Sequence, residues 1–253
     1  MDSLIANYAE ILQKIDFTKF ETIEDKYSGV FLPIPFDEYW QSEIKVMLIG
    51  RETSGWNTDN NKNTINRISQ FVASNDIHTI IKEATNRYKN HLQLDQRQNV
   101  ITKSKSRFKQ YYFQLSKELN IHPKAIFYTN LFAWDYNKKT PLNRPTLELQ
   151  EIKDISNKLL AAQINHIKPD YIIFATGVWR IDSVIKSLFN EHFDGYQTII
   201  PVISGKLWEF VANNTPCFRI AHPRAMKGHQ KYRKEVINRI QDKIKAEKIK
   251  LID

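Results

Sequence analysis

Four apolar runs in this 253-residue chain end in residues able to do chemistry. Residues 45–50 (KVMLIG) lead into Arg51-Glu52-Thr53-Ser54-Gly55-Trp56. Residues 125–134 carry Asn130 and lead into Trp134-Asp135-Tyr136-Asn137. Residues 170–177 end on Ala175-Thr176-Gly177, and residues 217–223 run into His222-Pro223-Arg224-Ala225-Met226. Ligands of a parallel α/β sheet bind beyond the carboxyl ends of its strands, where loops and helix N-termini converge. Taken singly, Glu52 reads as a loop charge or helix cap more often than as a catalytic acid, Asn130 can be a turn residue and His222 a structural loop histidine. A carboxylate, an amide and an imidazole at successive strand ends of one sheet point instead to a site.

Those side chains need a scaffold, and the pattern supplies one. The four runs are short, rich in apolar residues and bounded by polar ones, as buried parallel strands are. Helical stretches alternate with them. Residues 3–15 place Leu4, Ile5, Tyr8, Ile11 and Leu12 at helical spacing, and 148–167 repeat Ile152, Ile155, Leu159, Leu160, Ile164 and Ile167 as one stripe. Residues 230–248 repeat Tyr232, Val236, Ile240 and Ile244 opposite a basic face. The fold class expected is α/β, a single three-layer domain over 1–253 with a central four-stranded, mainly parallel sheet flanked by helices. Residues 198–211 read as two short strands about Ser204-Gly205, a hairpin or meander leading into the fourth strand. Residues 57–120 read as a basic insertion beside the first strand, helical over 66–72, 79–88 and 105–119.

Composition narrows the function. An apolar content of 42% builds a core and sets disorder aside, and 7 Gly with 9 Pro exclude low-complexity chains. The single cysteine, Cys217, can form no internal disulfide and no four-cysteine metal or iron–sulfur site, so no metal or cofactor is expected and a cytoplasmic setting is the simplest reading. No export signal or membrane segment is read. The net charge of +9 is uneven. Residues 82–109 hold eight basic side chains, among them Arg97, Lys103, Lys105, Arg107 and Lys109, against two acids, and 226–253 hold nine against four. Clustering of this kind suits contact with a polyanion such as nucleic acid.

Gly50-Arg51-Glu52 after the first strand, Thr129-Asn130 at the second, the Lys168-Pro169-Asp170 run into Thr176-Gly177, and His222-Pro223 after the last strand together resemble the uracil-DNA glycosylase superfamily. The resemblance covers about 45–55 and 125–226. The chain differs from that pattern in carrying Thr53 where a proline is usual and Glu52 where the family has Asp or Asn. The iron–sulfur cysteines of two branches are absent.

The resemblance implies a monofunctional DNA glycosylase, a monomer acting on double- or single-stranded DNA, that flips a damaged or modified base into a pocket and hydrolyses its bond to the sugar. The base would be of uracil type or an enlarged modified pyrimidine. Glu52 would face the sugar and orient or deprotonate water, and His222 would donate to the departing base as a neutral imidazole. Asn130 would read the base, with Gly50 and Arg51 beside it. Trp56 would stack on the base or serve as a core indole, and Asp135 is an alternative reader of an amino group. Met226 would fill the gap in the duplex or begin a helix, while Arg224, Lys227, Thr176, Gly177, Lys103, Lys105 and Arg107 would contact DNA. Two other classes stay open: a non-catalytic nucleic-acid-binding protein of the same fold, and a hydrolase of free nucleotides or nucleosides.

Overall fold

Strand β1 (Val46–Gly50) is buried along its whole length, and its side chains alternate between two cores. Met47 and Ile49 enter one cluster, while Val46 and Leu48 enter the other. Strand β3 (Tyr171–Phe174) divides in the same way, Ile172 and Phe174 to the first and Tyr171 and Ile173 to the second. Successive side chains of a strand point to opposite faces, so such all-apolar runs require a helix layer on each side.

The computed structural model describes residues 2–21, 25–56, 64–225 and 227–250. Helices α1 (Asp2–Gln13), α2 (Asp37–Gln41), α3 (Ile65–Ala73), α4 (Ile77–Lys89), α6 (Thr146–Ile167) and α7 (Asp182–His192) contribute to the first core. Helices α5 (Arg107–Glu118) and α8 (Gln230–Lys250) close the second. The anticipated helices of 57–120 are present at α3, α4 and α5, and they belong to both layers rather than standing beside them. Residues 57–63 of that stretch lie outside the described residues.

The sheet has six strands, not the four expected, in the order β2-β1-β3-β6-β5-β4. Strands β2 (Ile126–Asn130), β1, β3 and β6 (Thr215–Ile220) are parallel. Strands β4 (Tyr196–Ile203) and β5 (Leu207–Ala212), anticipated as a hairpin or meander, continue the same sheet, β5 antiparallel to β6 and β4 antiparallel to β5. The cause is burial: Trp208, Phe210 and Ala212 of β5 pack into the first core, which makes β5 an inner strand. β4 is the exposed edge, and its Pro201 removes one backbone donor from that edge. No helix among the described residues is long and apolar enough to cross a membrane.

Candidate functional site

β1 and β2 end side by side, with Gly50 and Asn130 as register partners. Their ends, and the loop after β6, open into a cavity of about 180 Å³. It is lined by Gly50, Arg51, Glu52, Asn130, His222 and Arg224, together with His91, Phe108, Lys109, Tyr112 and Tyr128. Six of the residues anticipated from the sequence therefore meet, although the chain separates the first from the last by more than half its length.

Each polar group has a defined state. The Glu52 carboxylate accepts two hydrogen bonds from its neighbour, Arg51 Nε at 2.7 Å and Nη2 at 2.9 Å. Asn130 is buried; its Oδ1 accepts from the Tyr128 hydroxyl at 3.2 Å, and its Nδ2 has no partner among the described residues. His222 Nδ1 accepts from the Arg224 backbone N–H at 3.2 Å, which leaves the proton on Nε2. Burial, reinforced by Arg51, Arg224 and Arg233, pushes the His222 pKa down to about 4, so the ring is neutral near pH 7.

Of the remaining wall only Lys109 was anticipated, as one of the basic side chains of 82–109. His91 Nδ1 donates to the Tyr88 carbonyl at 2.7 Å, so its buried and unpartnered Nε2 is an acceptor. Burial pushes the His91 pKa to about 4 as well. Tyr128 is raised to about 12 by burial and stays a phenol. Lys109 donates to the His91 carbonyl at 2.9 Å, and desolvation lowers its pKa. Phe108 lies with its ring centroid 5.0 Å from that of Tyr128 and 6.5 Å from that of His222. The sequence held two usable signals: Tyr128 shares a strand face with Asn130, and Phe108 and Tyr112 share a helix face.

Several anticipated residues lie elsewhere. Trp56 packs edge-on against Phe31 at 4.7 Å beneath Arg87, so it is a packing indole and the rings facing the cavity are Phe108, Tyr112 and Tyr128. Asp135 is fully buried and its carboxylate is already used. It accepts from the Thr53 hydroxyl at 2.5 Å, the Gly55 N–H at 2.7 Å and the Lys138 N–H at 2.8 Å, which pins the loop after β1 and leaves no reader of a base. Thr176 is fully buried and so is closed to DNA. Gly177, at φ +91°, passes behind His222, where an added Cβ would lie 3.8 Å from the histidine Cβ. Lys103, Lys105, Arg107 and Lys227 are exposed and outside the cavity, and Met226 lies outside the described residues.

A larger cleft, about 840 Å³, lies at the amino ends of β1 and β2 and is lined by Glu38, Glu43 and Glu118 among others. It sits where a parallel sheet presents no convergent loops, so size does not make it the site. Among the described residues, no group of three His, Cys, Asp or Glu is arranged to hold a metal ion.

The class defined by fold and site is thus an α/β protein with a mixed six-stranded sheet and a small, polar, cation-rimmed cavity at the carboxyl ends of its parallel strands. No protein-family model matches the chain, and no curated protein matches it.

Proposed function

We propose that this chain is a DNA glycosylase with a uracil-DNA glycosylase-like fold, which flips out a damaged or modified base and hydrolyses its glycosidic bond. The observation that carries the reading is that the Glu52 carboxylate, the Asn130 amide and the His222 imidazole line one cavity. Its volume, about 180 Å³, is below the roughly 300 Å³ at which pockets for drug-sized ligands begin, and suits a single heterocycle.

Cleavage of a glycosidic bond leaves positive charge on the sugar and negative charge on the departing base. Glu52 opposes the first and can take a proton from the attacking water. The Nε2–H of neutral His222 opposes the second by donating to an oxygen of the base. Asn130 Nδ2 supplies a second donor and His91 Nε2 an acceptor, the pairing that a base edge with both functions requires. Phe108 offers a stacking face, and the cations Arg51, Lys109 and Arg224 favour an anionic substrate.

The test is incubation with oligonucleotides carrying single modified bases, read for alkali-labile abasic sites. Native protein should release at least one base, and Glu52→Gln and His222→Ala should each lower release by about 100-fold or more while DNA binding persists. The Arg51–Glu52 pair favours a second reading, a non-catalytic nucleic-acid-binding protein, because it occupies both carboxylate oxygens. DNA binding with every base left intact would select it.

A further inference from the structure

Helices α5 and α8 meet in a second cleft, of about 400 Å³, whose wall includes Arg107, Tyr111, Lys231, Arg233 and Lys234 and no carboxylate. The two basic stretches of the chain, one ending near Lys109 and the other beginning after Met226, converge here. Among the described residues, none of the four cations has a carboxylate within ion-pair distance. Arg107 donates to the Gln110 side chain at 3.0 Å. Arg233 is the unusual member. It is only 9% exposed, yet its guanidinium bonds a single backbone carbonyl, that of Pro223, at 2.5 Å. A buried guanidinium ordinarily takes a carboxylate or phosphate, because its five donors match planar, multi-oxygen acceptors.

A second, independent observation points the same way. The Tyr111 side chain is 2% exposed, lines this cleft, and its hydroxyl has no hydrogen-bond partner. A buried hydroxyl left unpaired costs about 1–3 kcal/mol, so an orphan donor among four cations marks the place of a missing acceptor. Burial also holds the phenol protonated, and so able to donate. The first turn of the 21-residue α8 forms part of the wall, adding the positive end of the helix dipole. The chemistry asked for is a compact dianion or monoanion with several oxygens.

We propose that the α5–α8 cleft binds a phosphate group, that of a nucleic-acid backbone whose neighbouring nucleotide enters the cavity. The geometry gives the adjacency. Arg107 precedes Phe108, which lines the cavity, and Arg233 holds the carbonyl of Pro223, which follows His222. A phosphate seated here would fix a strand beside the site and, through Arg233, brace the His222 loop. The inference deepens the glycosylase reading and rests on it only for the carrier of the phosphate. A free nucleotide would present the same group.

The experiment measures binding by the full chain, not base release, so its failure is distinct from failure of the proposed activity. Three probes are titrated: a fluorescein-labelled single-stranded oligonucleotide, deoxythymidine monophosphate and inorganic phosphate. The variants are Lys231→Ala/Lys234→Ala, both exposed positions that leave the fold intact, and Tyr111→Phe, with Lys158→Ala on α6 as the control. The double variant should bind the oligonucleotide about tenfold more weakly, with a salt dependence shallower by roughly 1.4 for two lost contacts on a single strand. Tyr111→Phe should weaken binding about threefold with an unchanged salt slope. If the double variant keeps oligonucleotide affinity but loses the monophosphate and inorganic phosphate, the phosphate site stands and a free phosphate compound is its occupant. If both variants bind all three probes as the native chain does, the proposal is overturned.

Discussion

The Oδ1 atom of Asn130 occupies the space that a side chain on Gly50 would need: a Cβ there would lie 2.3 Å from it. The two residues are register partners at the ends of β1 and β2, so the amide reaches across onto the neighbouring backbone. The Phe108 ring also closes to 3.3 Å of the same point. Close approach, and not an unusual backbone angle, is what requires glycine at this position. Gly50→Ala should push the amide away, lowering base release about 100-fold while costing about 1–3 kcal/mol of stability. Single-turnover release and urea unfolding on the same sample measure both. Native release rates in a folded Gly50→Ala protein would remove Asn130 from base recognition.

The pairing of Arg51 with Glu52 makes opposite demands on two substitutions. Glu52→Gln keeps the shape and removes the charge, so base release should fall about 1,000-fold, within the range assigned to general acid–base groups, with DNA affinity retained. Arg51→Ala instead leaves a carboxylate that is 10% exposed without its two charge-assisted bonds. Because the Arg51 side chain is itself 31% exposed, solvent screens the pair, and the destabilisation should stay near 1 kcal/mol. A urea midpoint unchanged from native would show that the pair contributes nothing to folding.

Asp135 should behave as a loop anchor. Its carboxylate satisfies one hydroxyl and two backbone N–H groups, and Asp135→Ala leaves all three unpaired, at about 3 kcal/mol or more. Thermal melting should report the loss. The more discriminating variant is Asp135→Asn, which should lower stability and leave the preference among modified bases as it was. A changed base preference would return Asp135 to a recognition role.

The contrast between Asp135 and Glu52 shows what was legible in the chain. Both follow apolar runs, and both read as free carboxylates beside a strand end. What the sequence could not state is that the partners of Asp135 lie some 80 residues earlier, in the loop after β1, where Thr53 and Gly55 consume its lone pairs. The parallel strands were legible because each is an apolar run long enough to cross a two-sided core. Strand β5 was not counted in the sheet because its partner β4 is an exposed edge with no burial pattern. His91 carried no signal at all, and Lys109 only that of the basic segment to which it belongs. They reach the cavity only because α4 and α5 pack on opposite faces of the sheet and their ends meet at its carboxyl edge.

The two cavity histidines make the fold sensitive to acid in a defined window. Burial pushes both His91 and His222 to about 4, well below the ordinary value near 6.5 expected in the unfolded chain. Between those values the unfolded state binds more protons than the folded one, so stability rises with pH through the window and is lost as pH falls from about 6.5 toward 4. Each histidine contributes up to about 1.4 kcal/mol per pH unit there. His222→Ala should therefore flatten the stability profile while cutting base release about 100-fold, because the Nε2–H donor is gone. Urea midpoints of the native and His222→Ala proteins from pH 4.5 to 7.5 provide the check. Parallel profiles would mean that His222 already titrates in the folded protein as it does in the unfolded chain, and the neutral donor assigned to the departing base would then be a cation through much of that range.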